Sequence, residues 1–275
     1  MDKIIGIGGT GCAIAEKFRA FPQYEIFKID TDLKGENCYS VPRLNTPEDY
    51  ERYNYDLPEK FKNISGDILV ILSGTGNISG GTLKILYNLK HCNINVLYIK
   101  PDNIMNGNAK LQGRLTMGVL QEYARSGIFK RIFLVDNEKL DAIIGNVPII
   151  GYYDVLNDMI VNTMHQINKS QHIKPIVNQA SESKIGCRIY TIGLFSIENS
   201  VESLFFDLKD ISEKCFYFHY NKDALKSDGT LFRKIRDIIK SQTSDSLKTG
   251  FAIYSTEFST NFCFVTACTS QIQSC

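Results

Sequence analysis

A parallel α/β sheet followed by a smaller α+β region is the fold this sequence predicts. Three observations carry that expectation. Short apolar runs alternate with helix-forming segments over the first 150 residues. Two glycine-rich stretches each follow such a run and precede a helix. Beyond about residue 185 strand-like runs dominate, broken by only two helical pieces.

Taken in order, Lys3 to Ile7 is apolar, ends in glycines and reads as a buried strand. Cys12 to Phe18 has helical character through Ala13, Ile14 and Ala15. Tyr24 to Ile29 is a second strand, closed by Asp30-Thr31-Asp32. Leu33 to Asn45 carries Gly, Asn, Ser and Pro and reads as loop. Thr46-Pro47-Glu48-Asp49 is a helix start, with Thr46 as N-cap and Asp49 at the third helical position. Asp67 to Leu72 is a strand, Ser73 to Gly81 a glycine-rich loop, and Thr82 to His91 a helix with Leu83, Leu86 and Leu89 inward. Asn95 to Ile99 and Ile132 to Val135 are further strands. Tyr152 to Ile167 is a long helix, with Val155, Met159 and Thr163 along one face. A polar stretch follows to Lys184. Strands are then expected at Arg188 to Phe195, Cys215 to Tyr220, Phe251 to Thr256 and Phe262 to Ala267, with helices near Val201 to Ile211 and Leu231 to Ile239.

Composition removes several function classes. Lys+Arg number 31 against 30 Asp+Glu, a net charge of +1, which leaves no global basic footprint for nucleic acid. Eight scattered cysteines without a C-x-x-C pair argue against a disulfide framework and for small buried hydrophobes. The four histidines are dispersed without metal-ligand spacing. No run of about 18 apolar residues is present to span a membrane, and the N-terminus lacks the pattern of a signal peptide, so a cytoplasmic protein is expected.

The chemistry sits in the glycine stretches. Gly6-Ile-Gly8-Gly9-Thr10-Gly11 permits a tight strand-to-helix turn and close approach of backbone N–H groups to phosphate, with Cys12 opening the helix behind it. The following helix N-terminus adds a favourable dipole. Alone this is also a dinucleotide fingerprint, and Asp30 lies where its ribose acid is wanted. An NAD-dependent oxidoreductase is therefore one reading. The second stretch, Ser73-Gly74-Thr75-Gly76-Asn77-Ile78-Ser79-Gly80-Gly81-Thr82, weighs against it, because two turns at adjacent strand ends grip a di- or triphosphate from both sides.

From Lys3 to Ile167 the chain resembles the tubulin/FtsZ superfamily. Gly6 to Ala13 is similar to the first glycine loop of FtsZ, and Asp30-Thr31-Asp32 to its N-T-D. Gly76 to Thr82 resembles the tubulin signature G-G-G-T-G-[ST]-G, and Ile99-Lys100-Pro101-Asp102 the strand ending K-P-F. Arg114 and Asn137-Glu138-Lys139-Leu140 reproduce the spacing of the family's phosphate-side arginine and N-D-K-L. Tyr153-x-x-x-Asn157-Asp158 resembles the F-x-x-x-N-D whose aromatic stacks on guanine while the amide and acid read its edge. The short chain and the G-G-T-G loop are more like phage- and plasmid-borne tubulins than a cell-division FtsZ.

The resemblance implies a Rossmann-like GTP-binding domain over 1–150, a core helix and loop over 151–184, and a C-terminal α+β domain over 185–275. It implies GTP or GDP as cofactor, with magnesium left open. The implied contacts are Gly8, Gly9, Thr10, Gly11, Cys12, Asp30, Asp32, Gly74, Gly76, Asn77, Ser79, Gly80, Arg114, Asn137, Tyr153 and Asn157. It further implies a head-to-tail homopolymer in which a neighbouring subunit's acidic loop, N-x-D-x-x-D, completes hydrolysis. The matching stretch is Asn178-Gln-Ala-Ser-Glu-Ser183. Both aspartates are replaced, by Ala180 and Ser183, and Glu182 is the one acid left as a catalytic candidate. In the second glycine stretch Asn77 and Ile78 stand where glycines are expected, and a β-branched side chain limits how closely backbone approaches phosphate. Lys110 stands at the place of a ribose-contacting glutamate. Nucleotide binding with weak or absent hydrolysis is expected, in a filament or in a non-polymerising regulator or adaptor.

Overall fold

The computed structural model describes residues 1–102, 107–178 and 186–274. The chain divides into two compact units, Met1–Val161 with Ile272–Cys275, and Asn162–Gln271.

In the first unit β1 (Lys3–Ile7) passes directly into α1 (Gly8–Lys17), so the glycine stretch is itself the helix's first turn. β2 (Glu25–Thr31) follows. Within the segment expected to be loop lies a short edge strand, β3 (Cys38–Val41), paired in parallel with β2. It has a single buried residue, Val41, which is why no apolar run announces it. α2 (Pro47–Arg52) is opened by a reciprocal cap: Thr46 Oγ1 accepts from the Asp49 amide at 3.1 Å, and Asp49 Oδ2 from the Thr46 amide at 3.2 Å. α3 (Glu59–Lys62) inserts Phe61 beside Phe27.

β4 (Asp67–Ser73) is buried over its whole middle, as a central parallel strand must be. The second glycine stretch forms a 3-10 turn, Asn77–Gly81, before α4 (Thr82–Asn88). Ile85, Leu86 and Leu89 face inward, whereas Leu83 is exposed, which shifts the expected inner face by one residue. β5 (Asn93–Lys100), α5 (Gly107–Arg125), β6 (Arg131–Asp136) and α6 (Asn137–Ile144) complete the alternation. The six strands are all parallel, in the order β6-β5-β4-β1-β2-β3.

α7 (Tyr152–His172) runs from the first unit into the second. Its buried stripe is Leu156, Ile160, Met164 and Ile167, joined by Thr163. Val155 is exposed, so the inner face differs from the one expected.

The second unit holds β7 (Ile189–Ser196), β8 (Val201–Leu204), β9 (Glu213–Asn221), α8 (Lys222–Ser227), α9 (Leu231–Ser241), β10 (Lys248–Thr256) and β11 (Phe262–Thr269). The expected helix near Val201 to Ile211 is instead strand β8 and irregular chain; β8 pairs antiparallel with β7 and buries none of its residues fully. Within the unit the strands run β10-β9-β11-β7-β8, antiparallel except for β10 with β9. Phe195, Phe216, Phe218, Ile253 and Val265 form its core, covered by Ile235 of α9. His219 is buried, stacked on Tyr254 and Phe262, and its Nε2 meets Ser170 Oγ at 3.0 Å.

Candidate functional site

β1 and β4 are neighbours at the centre of the parallel sheet. From β1 the chain winds outward through β2 and β3, then returns to β4 and winds the other way. The direction of winding reverses between β1 and β4, and ligands of open α/β sheets bind outside the carboxyl ends of the strands at such a point. Both glycine stretches follow these two strands.

At the first, α1 begins without a side-chain cap and without an acid in its first turn. Its leading N–H groups and dipole are thus left to a ligand or solvent. The four glycines divide the work. Gly6 and Gly11 serve packing: a Cβ on Gly6 lies 2.5 Å from the Gly11 carbonyl oxygen, and one on Gly11 collides with the Ile71 carbonyl of β4. Gly8 takes φ +71°, a left-handed conformation that L side chains rarely adopt. Gly9 is exposed, and a Cβ there meets nothing within 4 Å. Thr10 is exposed beside it. Cys12 is buried beneath the turn, donating to the Gly6 carbonyl at 3.4 Å; burial, reinforced by Asp30, pushes its thiol up to about 12.

The second turn is held from behind. A Cβ on Gly74 lies 2.5 Å from the Tyr98 hydroxyl and 2.8 Å from Gly113 Cα of α5. That hydroxyl donates to the Gly113 carbonyl at 2.8 Å. Gly80 is closed by the Pro47 carbonyl of α2 and Gly81 by the Tyr55 ring. Ser79 Oγ donates to the Gly74 carbonyl at 2.9 Å, and Asn77 Nδ2 to the Asn45 carbonyl at 2.8 Å. Gly76 is exposed. The Ile78 side chain reaches both turns: its Cγ2 lies 3.0 Å from a Cβ placed on Gly8 and 4.0 Å from one placed on Gly76.

Asp30 is the penultimate residue of β2 and accepts from the Thr31 amide at 2.8 Å. Asp32, at φ 57°, is paired with Arg43 at 2.7 Å on the surface. At the tips of β5 and β6, Lys100 and Asp136 form a shielded ion pair at 2.6 Å, and Asp136 also caps α6 through the Glu138 amide. Asn137 is buried, and its Oδ1 has no hydrogen-bond partner among the described residues. Asp102 accepts from the Tyr153 hydroxyl at 2.9 Å through Oδ2, while its shielded Oδ1 has no partner among them. That bond, with burial second, raises the Tyr153 phenol above its usual range. The Tyr153 ring is 55% exposed at the start of α7, one turn before the buried Asn157. Arg114 is exposed on α5. Asp158 pairs with Lys17 of α1 at 2.8 Å, and Asp154 with the same ammonium at 3.3 Å. Glu182 lies outside the described residues.

Asp102, Lys100 and Lys17 were not among the site residues expected from sequence. Lys100 and Asp102 share one faint signal, the Lys-Pro-Asp that closes β5; Lys17 has none.

No family model matches the sequence, and no curated protein is similar to it at the sequence level. Solved structures are similar. A GTPγS-form protofilament of Bacillus thuringiensis serovar israelensis TubZ superposes with TM-score 0.70 at 16% identity, over 98% of this chain and 87% of that one. An empty FtsZ dimer of M. jannaschii gives 0.69 at 14% identity, over 98% and 88%. CetZ from Methanosaeta thermophila gives 0.65 at 15% identity, over 98% and 87%. The chain has the tubulin/FtsZ fold.

Proposed function

We propose that this chain binds a guanine nucleotide across the β1/β4 crevice and assembles head-to-tail with copies of itself into filaments, with weak or absent hydrolysis. The observation that carries the reading is the pair of glycine turns at the tips of adjacent strands where the sheet's winding reverses. A polyphosphate fits the open first turn, where Gly9 offers bare backbone and α1 its uncapped N-terminus. Gly8 to Gly11 donate to phosphate, Gly76 lines the opposite wall, and Arg114 is an exposed cation for the same charge. Tyr153, packed at 83° to the Tyr152 ring and 55% exposed, offers its ring to a base, and the amides of Asn137 and Asn157 supply donors and acceptors for its edge. Magnesium, when taken, rides chiefly on the phosphates.

Assembly is supported by the similar TubZ and FtsZ structures, several of which are protofilaments, filaments or dimers. A head-to-tail contact propagates into an open filament. Weak hydrolysis rests on Ala180 and Ser183 standing at the two acidic positions of the resembled loop. A cytoplasmic location belongs to the same reading, as does the alternative of a non-polymerising regulator working through a protein adaptor.

The test is identification of the nucleotide released from denatured protein, with a thermal-shift panel of GDP, GTP, ATP and NAD. Guanine nucleotide in the supernatant and stabilisation by GDP or GTP above ATP and NAD are expected. Stabilisation by NAD alone returns the chain to the oxidoreductase reading, for which Asp30 stands at the tip of β2. Pelleting with nucleotide then separates filament from regulator.

A further inference from the structure

The second glycine turn differs from the first in what it offers a ligand. Two of its polar side chains, Asn77 and Ser79, are committed to backbone carbonyls. Asn77 Nδ2 is given to the Asn45 carbonyl, Ser79 Oγ to the Gly74 carbonyl, and Gln112 Nε2 reaches Ser79 Oγ at 3.3 Å. The Ser79 amide is also committed, to the Gly76 carbonyl at 2.9 Å. Between this turn and α1 stands hydrocarbon. Ile78 is 8% exposed, and its Cγ2 lies 3.0 Å from where a Gly8 Cβ would be, wedged between the two turns. Its branched χ1 is stiff, so the methyl does not swing aside at low cost.

We infer that Ile78 makes the site selective for a nucleoside diphosphate over the corresponding triphosphate. This rests on the proposed nucleotide site and adds to it. A diphosphate is satisfied by the first turn, whose amides and dipole are open. A third phosphate extends toward the second turn, where it displaces its water against a methyl group and finds the Asn77 and Ser79 side chains already engaged. Removing hydration from a charged oxygen without replacing the hydrogen bonds is costly. The selective element is therefore steric and apolar, set by one side chain between two turns.

Calorimetric titration of the full chain, stripped of nucleotide, with GDP and with the slowly hydrolysed GTPγS tests this. The wild type is expected to bind GDP about 10-fold or more tightly than GTPγS, the scale of one charged hydrogen bond lost. Ile78→Ala and Ile78→Gly are expected to narrow that ratio to about 3-fold or less, through tighter GTPγS binding with GDP little changed. The inference is overturned when the wild type binds both nucleotides equally or favours GTPγS, and equally when the ratio survives in both variants. The wild-type ratio needs no variant to fold. Failure of the wild type to bind either nucleotide overturns the nucleotide site itself, a different outcome from binding without preference.

Discussion

Gly9 and Gly11 stand two residues apart in the first turn of α1, yet alanine at each has opposite expected consequences. On Gly9 a Cβ meets no atom within 4 Å, and the residue is exposed. Alanine there keeps the fold and gains up to about 0.5 kcal/mol of helix propensity, a rise in Tm of at most about 2 °C. It also places a methyl where bare backbone is proposed to meet phosphate. Losing one charged hydrogen bond of ~1.5–3 kcal/mol weakens GDP binding about 10- to 150-fold. On Gly11 the added Cβ lies 3.0 Å from the Ile71 carbonyl carbon and closer still to its oxygen. Both are backbone atoms of β4, so α1 must move off the sheet. An overpacking cost of ~1–3 kcal/mol lowers Tm by several degrees. Thermal unfolding without nucleotide, paired with GDP titration, reads both effects. Unchanged GDP affinity in Gly9→Ala, with the fold intact, refutes the phosphate role of the first turn; an undisturbed Tm in Gly11→Ala refutes the packing argument.

Three further outcomes are expected. His165 and His219 are buried, and burial lowers both rings from 6.5 to about 4. Both are neutral in folded and unfolded chains above pH 6.5; below it the unfolded rings protonate first, so stability is complete at high pH and falls as pH drops from 6.5 toward 4. Urea unfolding at pH 7.5 and 5.0 should differ by about 2 kcal/mol per ring, and His219→Gln should remove its share; a flat profile contradicts the burial. Thr46→Ala removes the cap that accepts from the Asp49 amide and should cost about 1 kcal/mol in denaturant unfolding; no loss means that α2 is held by its packing alone. Asp102, whose carboxylate has one donor among the described residues, is expected to take a ribose hydroxyl. GDP should then outbind 2′,3′-dideoxy-GDP about 10-fold, a preference lost in Asp102→Ala; its persistence in the variant excludes that contact.

The parallel core was legible because β1, β4, β5 and β6 carry long apolar runs, as strands buried on both faces must. The cap of α2 was legible because its chemistry is local. What escaped depended on partners distant in sequence. α5 carries Leu111, Leu115 and Val119 on its exposed side, while Gly113, Met117, Leu120, Gln121 and Ala124 face inward. Its apolar pattern therefore gives no inner face, and the partner of the Gly113 carbonyl is the Tyr98 hydroxyl, fifteen residues away. β8 reads as helical because its edge position demands no apolar alternation. In the candidate site the glycine turns were visible as motifs. The different duties of their glycines were not, because Gly6, Gly11, Gly74 and Gly80 answer to backbone that arrives from other elements. The placement of Ile78 between the turns likewise needed the β1–β4 pairing.

A crystal structure of the chain grown with GDP bears most directly on the central claim. The account predicts phosphate oxygens within hydrogen-bond distance of the Gly9 to Gly11 amides, with Gly76 and Ile78 on the facing wall and the base against Tyr153. A nucleotide bound away from the β1/β4 crevice, or one touching the first turn with its base lying over β2, contradicts it.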